Sequence, residues 1–189
     1  TGEGSVGLGK PLKLINHPVR SEIPIYVASL GPKNVQMTAE IADGWLPIFF
    51  APRDDAFYRK ALDEGFSREG ARRGWDDFEI PATTIISVND DVEAAADAMK
   101  PFFALYIGGM GAKGENYHYD VFARMNEGRY EGDCERIQEL YLSGHKDEAI
   151  AAVPAEMVDD ICLVGSADRV RDRVQRWEES IVDTLLIGG

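Results

Sequence analysis

The sequence predicts an α/β fold built on a parallel sheet. Four short apolar stretches, at 23–28, 43–50, 78–88 and 183–187, alternate with longer amphipathic ones. The first stretch is apolar almost without interruption, the pattern of a strand covered on both faces rather than on one. The connection from the first strand to the second takes about twenty residues, which suits a βαβ crossover and not a hairpin. A four-stranded doubly wound sheet and a segment of a barrel both satisfy this pattern.

Taken in order, residues 1–22 read as a leading loop and short ribbon. Gly4-Ser-Val-Gly-Leu-Gly9-Lys10 fits the first seven positions of a phosphate-binding P-loop. Pro11 then stands where magnesium needs a Ser or Thr, and no strand precedes the run, so the P-loop reading is rejected. The Gly-rich start, without an initiating Met, reads as an internal loop.

The first strand, Ile23 to Ala28, carries Pro24 near its start, where a missing amide hydrogen costs least. Gly31 and Pro32 end the connection and open a helix from Lys33 to Ala42. The amides at the head of that helix, with the positive end of its dipole, suit an anion such as phosphate. A strand-turn-helix unit with no ligand satisfies the same residues. The second strand, Asp43 to Phe50, is broken by Pro47. Asp55 to Gly70 forms an amphipathic helix with Phe57, Ala61 and Phe66 near one face. Arg72 and Arg73 lie in the loop beyond it and read as solvated.

The third strand, Phe78 to Val88, is β-branched and apolar. Asn89-Asp90-Asp91 caps the next helix, Val92 to Tyr106, which Pro101 kinks or breaks. Residues 107–165 are too many for a simple loop. They read as a helical insertion before the last strand, with helices at 117–126, 132–142, 146–152 and 154–160. Gly109-Met-Gly111-Ala-Lys-Gly114 matches G-x-G-x-x-G, but a helix precedes it where a dinucleotide site needs a strand. Ser166 caps the last helix, Trp177 packs into the core, and Asp183 to Ile187 is the fourth strand.

Ile23-Pro-Ile-Tyr-Val-Ala-Ser-Leu-Gly-Pro-Lys-Asn34, then Thr38-Ala-Glu-Ile-Ala-Asp-Gly-Trp45, resembles the luciferase-like monooxygenase superfamily. Leu105-Tyr-Ile-Gly-Gly-Met-Gly111 and Asp183-Thr-Leu-Leu-Ile187 are similar to its deazaflavin branch, which uses coenzyme F420. The resemblance covers essentially the whole chain. It implies strands five to eight of a TIM (β/α)8 barrel, with the N-terminal half absent. In such a barrel the site lies at the C-terminal ends of the strands. The resemblance places the cofactor tail on Ser29, Leu30, Gly31 and Pro32, and extends to Lys33 and Asn34. Tyr106, Lys113 and Tyr117, on a Gly-rich lip, are candidates to face a substrate. The implied activity is hydride transfer between F420 and a small organic molecule; an FMN-dependent monooxygenase is the alternative. A non-catalytic half-barrel that binds a phosphate compound, or itself, is the second alternative.

The family draws its acids and bases mainly from the N-terminal strands, so no catalytic residue is named. His17, His118 and His145 lack partners at metal-ligand or triad spacing. Cys134 and Cys162 read as small buried hydrophobes. A net charge of −13, from 33 acidic against 20 basic residues, disfavours nucleic acid and anionic membranes as partners. Two cysteines without a disulfide framework fit a cytoplasmic protein. The expected partners are a small-molecule substrate and either the missing N-terminal half or a second copy of the chain. The resemblance also implies a homo-oligomer.

Overall fold

A computed structural model describes residues 15–111, 114 and 116–188. The P-loop-like run 4–10, Lys113 and Gly189 lie outside the described residues. Fifteen elements follow in order among those described. Strand β1 is Tyr26–Val27, helix α1 Pro32–Ile41 and strand β2 Gly44–Trp45. A 3-10 turn at Pro52–Asp54 leads into α2, Asp55–Phe66. Strand β3 is Pro81–Val88. Helices α3 (Val92–Asp97), α4 (Lys100–Gly108), α5 (Tyr117–Gly128), α6 (Glu131–Leu142), α7 (Lys146–Ala151) and α8 (Ala155–Ile161) come next. Strand β4 (Leu163–Gly165), helix α9 (Ala167–Glu178) and strand β5 (Thr184–Gly188) close the order.

Every strand pairing is parallel. β1 pairs with β2, and β3 lies between β4 and β5. A bridge from Gly44 to Glu79 joins the two sheets, with the Trp45 amide donating to the Glu79 carbonyl at 2.9 Å. The sheet strands foreseen from the sequence therefore pair in chain order, each with the next, across helical crossovers.

Two apolar cores flank the sheet. One gathers α1, α2 and α9 against it through Val35, Leu62, Trp45, Phe50, Ile80 and Trp177. The other fills the space among α4, α5, α6 and α8 through Phe103, Ile107, Phe122, Ile137, Met157 and Val164. Thr84, fully buried in β3, donates to the Ile161 carbonyl at 2.8 Å and ties the second core to the sheet.

The structure corrects several expectations. The first strand is two residues long, and Ile23 and Ile25 are exposed, Ile25 at 60%. Pro24 cannot donate to a neighbouring strand, and among the described residues β1 pairs with β2 alone. The second strand also stops early. Beyond Trp45 the backbone turns through Pro47 to Phe49, whose φ of 58° no strand allows. In α2 the buried face is Tyr58, Ala61, Leu62 and Gly65, one step round from Phe57 and Phe66. The 92–106 helix is two helices. Met99 precedes the second, and Pro101 sits in its first turn, where it lacks no needed hydrogen bond. The stretch 107–165 holds helices α5 to α8, but it ends in β4, a three-residue strand hidden in the apolar run around Cys162. Arg73 is partly exposed and also pairs with Asp43 and Asp77.

Candidate functional site

The loop from Ser29 to Gly31 leaves the C-terminal end of β1 and enters α1. Two groups from the following stretch hold it, and a third holds the residues that lead into β1. The buried Trp45 indole donates from Nε1 to the Ser29 carbonyl at 2.9 Å. Thr38 Oγ1 donates to the Asn34 carbonyl at 2.8 Å. That spends its one proton, so Ser29 Oγ is the donor in its 2.9 Å bond to Thr38. Asp43 accepts from the Ile25 amide at 2.9 Å and from Arg73 at 2.8 and 3.0 Å. Those bonds, the Ile25 amide first, hold the Asp43 carboxyl below the usual carboxylate range.

Gly44, between Asp43 and Trp45, has no room for a side chain: a Cβ there would overlap the Tyr26 ring and stand 2.6 Å from the Glu79 carbonyl oxygen. Thr38 and Trp45 thus hold the Ser29–Gly31 loop, while Asp43 and Gly44 hold the strand that leads into it.

Gly31 differs from Gly44. Its φ of −77° is open to any residue, and a Cβ there would meet nothing within 4 Å. Its carbonyl takes the amides of Asn34 and Val35, both at 3.0 Å. The amides of Gly31 and Lys33 donate to none of the described residues, and Pro32 has no amide hydrogen. The head of α1 therefore presents free donors, the positive end of a ten-residue helix, and open space above a glycine. Lys33 and Asn34 are exposed, Leu30 is half-buried against the second core, and Ser29 is buried. Such a head suits a phosphate.

Beside this loop lies a cavity of about 340 Å³ that runs from the C-terminal ends of β1 and β2 to the middle of β3. Ala28 from the end of β1, Leu46 after β2 and Ile85 from β3 form one wall; Met99, Phe102 and Phe103 form another. Phe49 contributes a ring from its strained backbone and touches Phe103, Tyr106 and Phe122 at centroid distances of 5.7, 5.0 and 4.6 Å.

Of the substrate-facing candidates, Tyr106 is half-buried, with its ring 4.7 Å from Phe102 and 4.9 Å from His118. Tyr117 is exposed at the start of α5, and Lys113 lies outside the described residues. Asn116 joins the two helices: its amide donates to the carbonyls of Tyr106 and Ile107, and its oxygen caps α5. His118, half-buried among rings, has its pKa lowered by desolvation. The cysteines are inert: burial pushes both thiols up to about 12. No cluster of metal-ligating side chains occurs among the described residues.

The family pattern described as luciferase-like monooxygenase matches residues 3–184. The chain belongs to the luciferase-like monooxygenase family. It is 50% identical over 187 residues to a Mycobacterium tuberculosis protein that carries the provisional name coenzyme F420-dependent oxidoreductase. That alignment covers 99% of this chain and 53% of the relative. It is 26% identical to the 5,10-methylenetetrahydromethanopterin reductase of Archaeoglobus fulgidus, over 88% of this chain and 48% of that enzyme.

Among solved structures, the coenzyme F420 dependent tetrahydromethanopterin reductase of Methanopyrus kandleri superposes with a TM-score of 0.67 at 25% identity. That match covers 87% of this chain and 44% of the reductase. An F420-dependent secondary alcohol dehydrogenase shares the fold, with a TM-score of 0.60 at 16% identity over 88% of this chain and 43% of its own. This luciferase-like chain spans about half the length of the curated relatives it matches.

Sequence reasoning brought Ser29 to Asn34 into view but missed what holds them. Thr38 and Trp45 stood in the quoted motif, with Trp45 read only as part of a strand. The signal was there: a buried indole needs an acceptor, and a Ser and a Thr nine residues apart flank the loop. The cavity had no such signal, because strands and α4 remote in sequence build it.

Proposed function

We propose that this chain is the cofactor-holding part of an oxidoreductase that moves a hydride between coenzyme F420 and a small organic substrate. The observation that carries the reading is the loop at the head of α1. Free amides and an uncrowded glycine stand there, within a stretch of the chain that is half identical to a relative named for F420.

These residues fit the group. A phosphate of the cofactor tail would take the amides of Gly31 and Lys33, with the Lys33 side chain adding positive charge at the rim. Trp45, Thr38 and Ser29 keep those amides in place before any ligand arrives, so little ordering is spent on binding. When bound, F420 supplies hydride transfer at C5 of its deazaflavin ring. The protein's part is to fix the tail and to wall the adjoining apolar space against water.

The reading includes strands five to eight of an eight-stranded barrel, with β1 and β5 as the edges that meet the remaining strands. It is supported by the chain-order parallel pairing, the match to half of each relative, and the exposed apolar side chains Ile25 and Ile187 at those two edges. The remaining strands come from the rest of a longer polypeptide or from a second copy.

Equilibrium titration tests the cofactor. The expected result is saturable quenching of F420 fluorescence, with FMN binding more weakly. Tighter binding of FMN than of F420 would replace the reading by the monooxygenase alternative.

A further inference from the structure

Helix α5 is not helical to its end. Met125 turns to extended backbone with ψ 143°, and Asn126 and Glu127 follow in the left-handed region at φ 53° and 58°. Gly128 continues there at φ 83°, where a glycine is at ease. Two consecutive non-glycine residues in that region are costly, and such strain persists only where the surroundings impose it. Here two carboxylates from other elements impose it.

Asp54 precedes α2 without capping it, and its Oδ1 accepts from the Asn126 amide at 3.1 Å. Asp160, on α8 and 4% exposed, accepts from the Tyr130 hydroxyl at 2.8 Å. Burial raises the pKa of both carboxyls, and ionised Asp160 raises that of Asp54 further. The groups that oppose this rise do not cancel it. Arg53 reaches Asp160 at 3.2 Å from a side chain that is 43% exposed, and Arg176 faces Asp160 from α9. Arg124 faces Asp54 while it donates to the Tyr58 hydroxyl at 3.2 Å. Asp159, the neighbouring acid, is taken by Arg169 and Arg173 and adds to the rise at Asp160. Tyr58 and Tyr130, both buried, keep their protons.

All these groups stand on elements within the described residues, so added strands of a longer chain would deepen their burial and not undo it. We propose that residues 125–130 are a proton-controlled joint of the helical segment 107–165, closed while Asp54 and Asp160 hold protons and loosened as they ionise. A carboxyl that binds its proton more tightly in the closed joint than in water stabilises the closed form fully below the ordinary carboxylate range. That contribution is lost as pH rises through the raised folded-state values. What the joint holds is α5, which carries His118 against Phe49 of the cavity wall, with ring centroids 6.3 Å apart. Acidification firms this wall, and rising pH relaxes it.

The test is hydrogen exchange on the full protein, read by mass spectrometry from about pH 5 to about pH 8 and corrected for the intrinsic exchange rate. The expected result is protection across 125–130 that falls about threefold or more over that range, while protection in α1 changes by less than about twofold. In the Asp54→Asn/Asp160→Asn double variant neither side chain can ionise and both still accept a hydrogen bond, so the fall should disappear. Carboxyl carbon shifts of the wild-type protein give a second readout that needs no variant: Asp54 and Asp160 should titrate above Asp43 and Asp77. Protection that does not change with pH would overturn the inference. So would a fall that survives in the double variant, or carboxyls of Asp54 and Asp160 that titrate at or below the ordinary range. A double variant that does not fold leaves the decision to the wild-type exchange profile and the carboxyl titration.

Discussion

Gly31 and Gly44 stand thirteen positions apart in the same sequence motif, and the structure gives them opposite duties. At Gly44 an added methyl meets the Tyr26 ring and the Glu79 carbonyl, at the point where β1, β2 and the approach to β3 are stitched together. Overpacking of this kind costs about 1–3 kcal/mol. In a chain of this size each kcal/mol moves the midpoint by roughly 2–4 °C, so Gly44→Ala should melt about 2–12 °C below wild type. At Gly31 the methyl meets nothing, and the backbone already lies where alanine is comfortable. Replacing a glycine under those conditions stabilises by about 0.4–1 kcal/mol through the unfolded chain. Gly31→Ala should therefore melt at or slightly above the wild-type temperature. Yet the methyl occupies the space from which a phosphate would approach the amides. Losing a charge-assisted hydrogen bond costs about 1.5–3 kcal/mol, so F420 affinity should fall roughly 10- to 100-fold. The assays are thermal unfolding by circular dichroism and F420 titration on both variants. A Gly31→Ala protein that melts low, or that binds F420 as wild type does, would refute the division of labour.

Three further outcomes follow from the same geometry. Trp45→Phe keeps the ring but leaves the Ser29 carbonyl without its buried donor; a stability loss of about 1–3 kcal/mol is expected in chemical denaturation. At Phe49 the usual order of glycine and alanine should reverse. Both variants lose the ring, but glycine is relieved of a left-handed conformation that costs other residues about 1–2 kcal/mol, so Phe49→Gly should be the more stable in paired melts. The folded-state pKa values of Asp43 and Asp77 are depressed, each first by a backbone amide and then by Arg73. Their contribution is complete above the ordinary carboxylate range and is lost as pH falls through the folded-state values. Asp43→Asn should therefore flatten the acid limb of the stability profile, and an unchanged limb would assign acid sensitivity elsewhere.

The parallel α/β plan was legible because crossover length and β-branched runs are local properties of the sequence. Helices α5 to α8 were legible for the same reason: their apolar spacing and their Gly and Pro boundaries lie within each segment. Strands β1 and β2 were overread. Their apolar residues described a face to be covered, and Ile25 shows that the described residues do not cover it. Strand β4 was missed because three residues carry too little period to separate them from the end of α8. At the candidate site the loop was legible through the motif, while the carbonyl that receives Trp45 and the cavity beside the loop needed tertiary placement. Phe49 gave no warning, since nothing in a Pro-Ile-Phe-Phe run marks one phenylalanine as left-handed.

The central claim is that the head of α1 receives the anionic tail of F420. Titrating F420 into isotopically labelled protein and following backbone amide shifts by NMR tests it most directly. The account predicts that the Gly31 and Lys33 amides move most, with saturation at the same F420 concentration as the fluorescence change. Saturable F420 binding that leaves those two amides unmoved would contradict it.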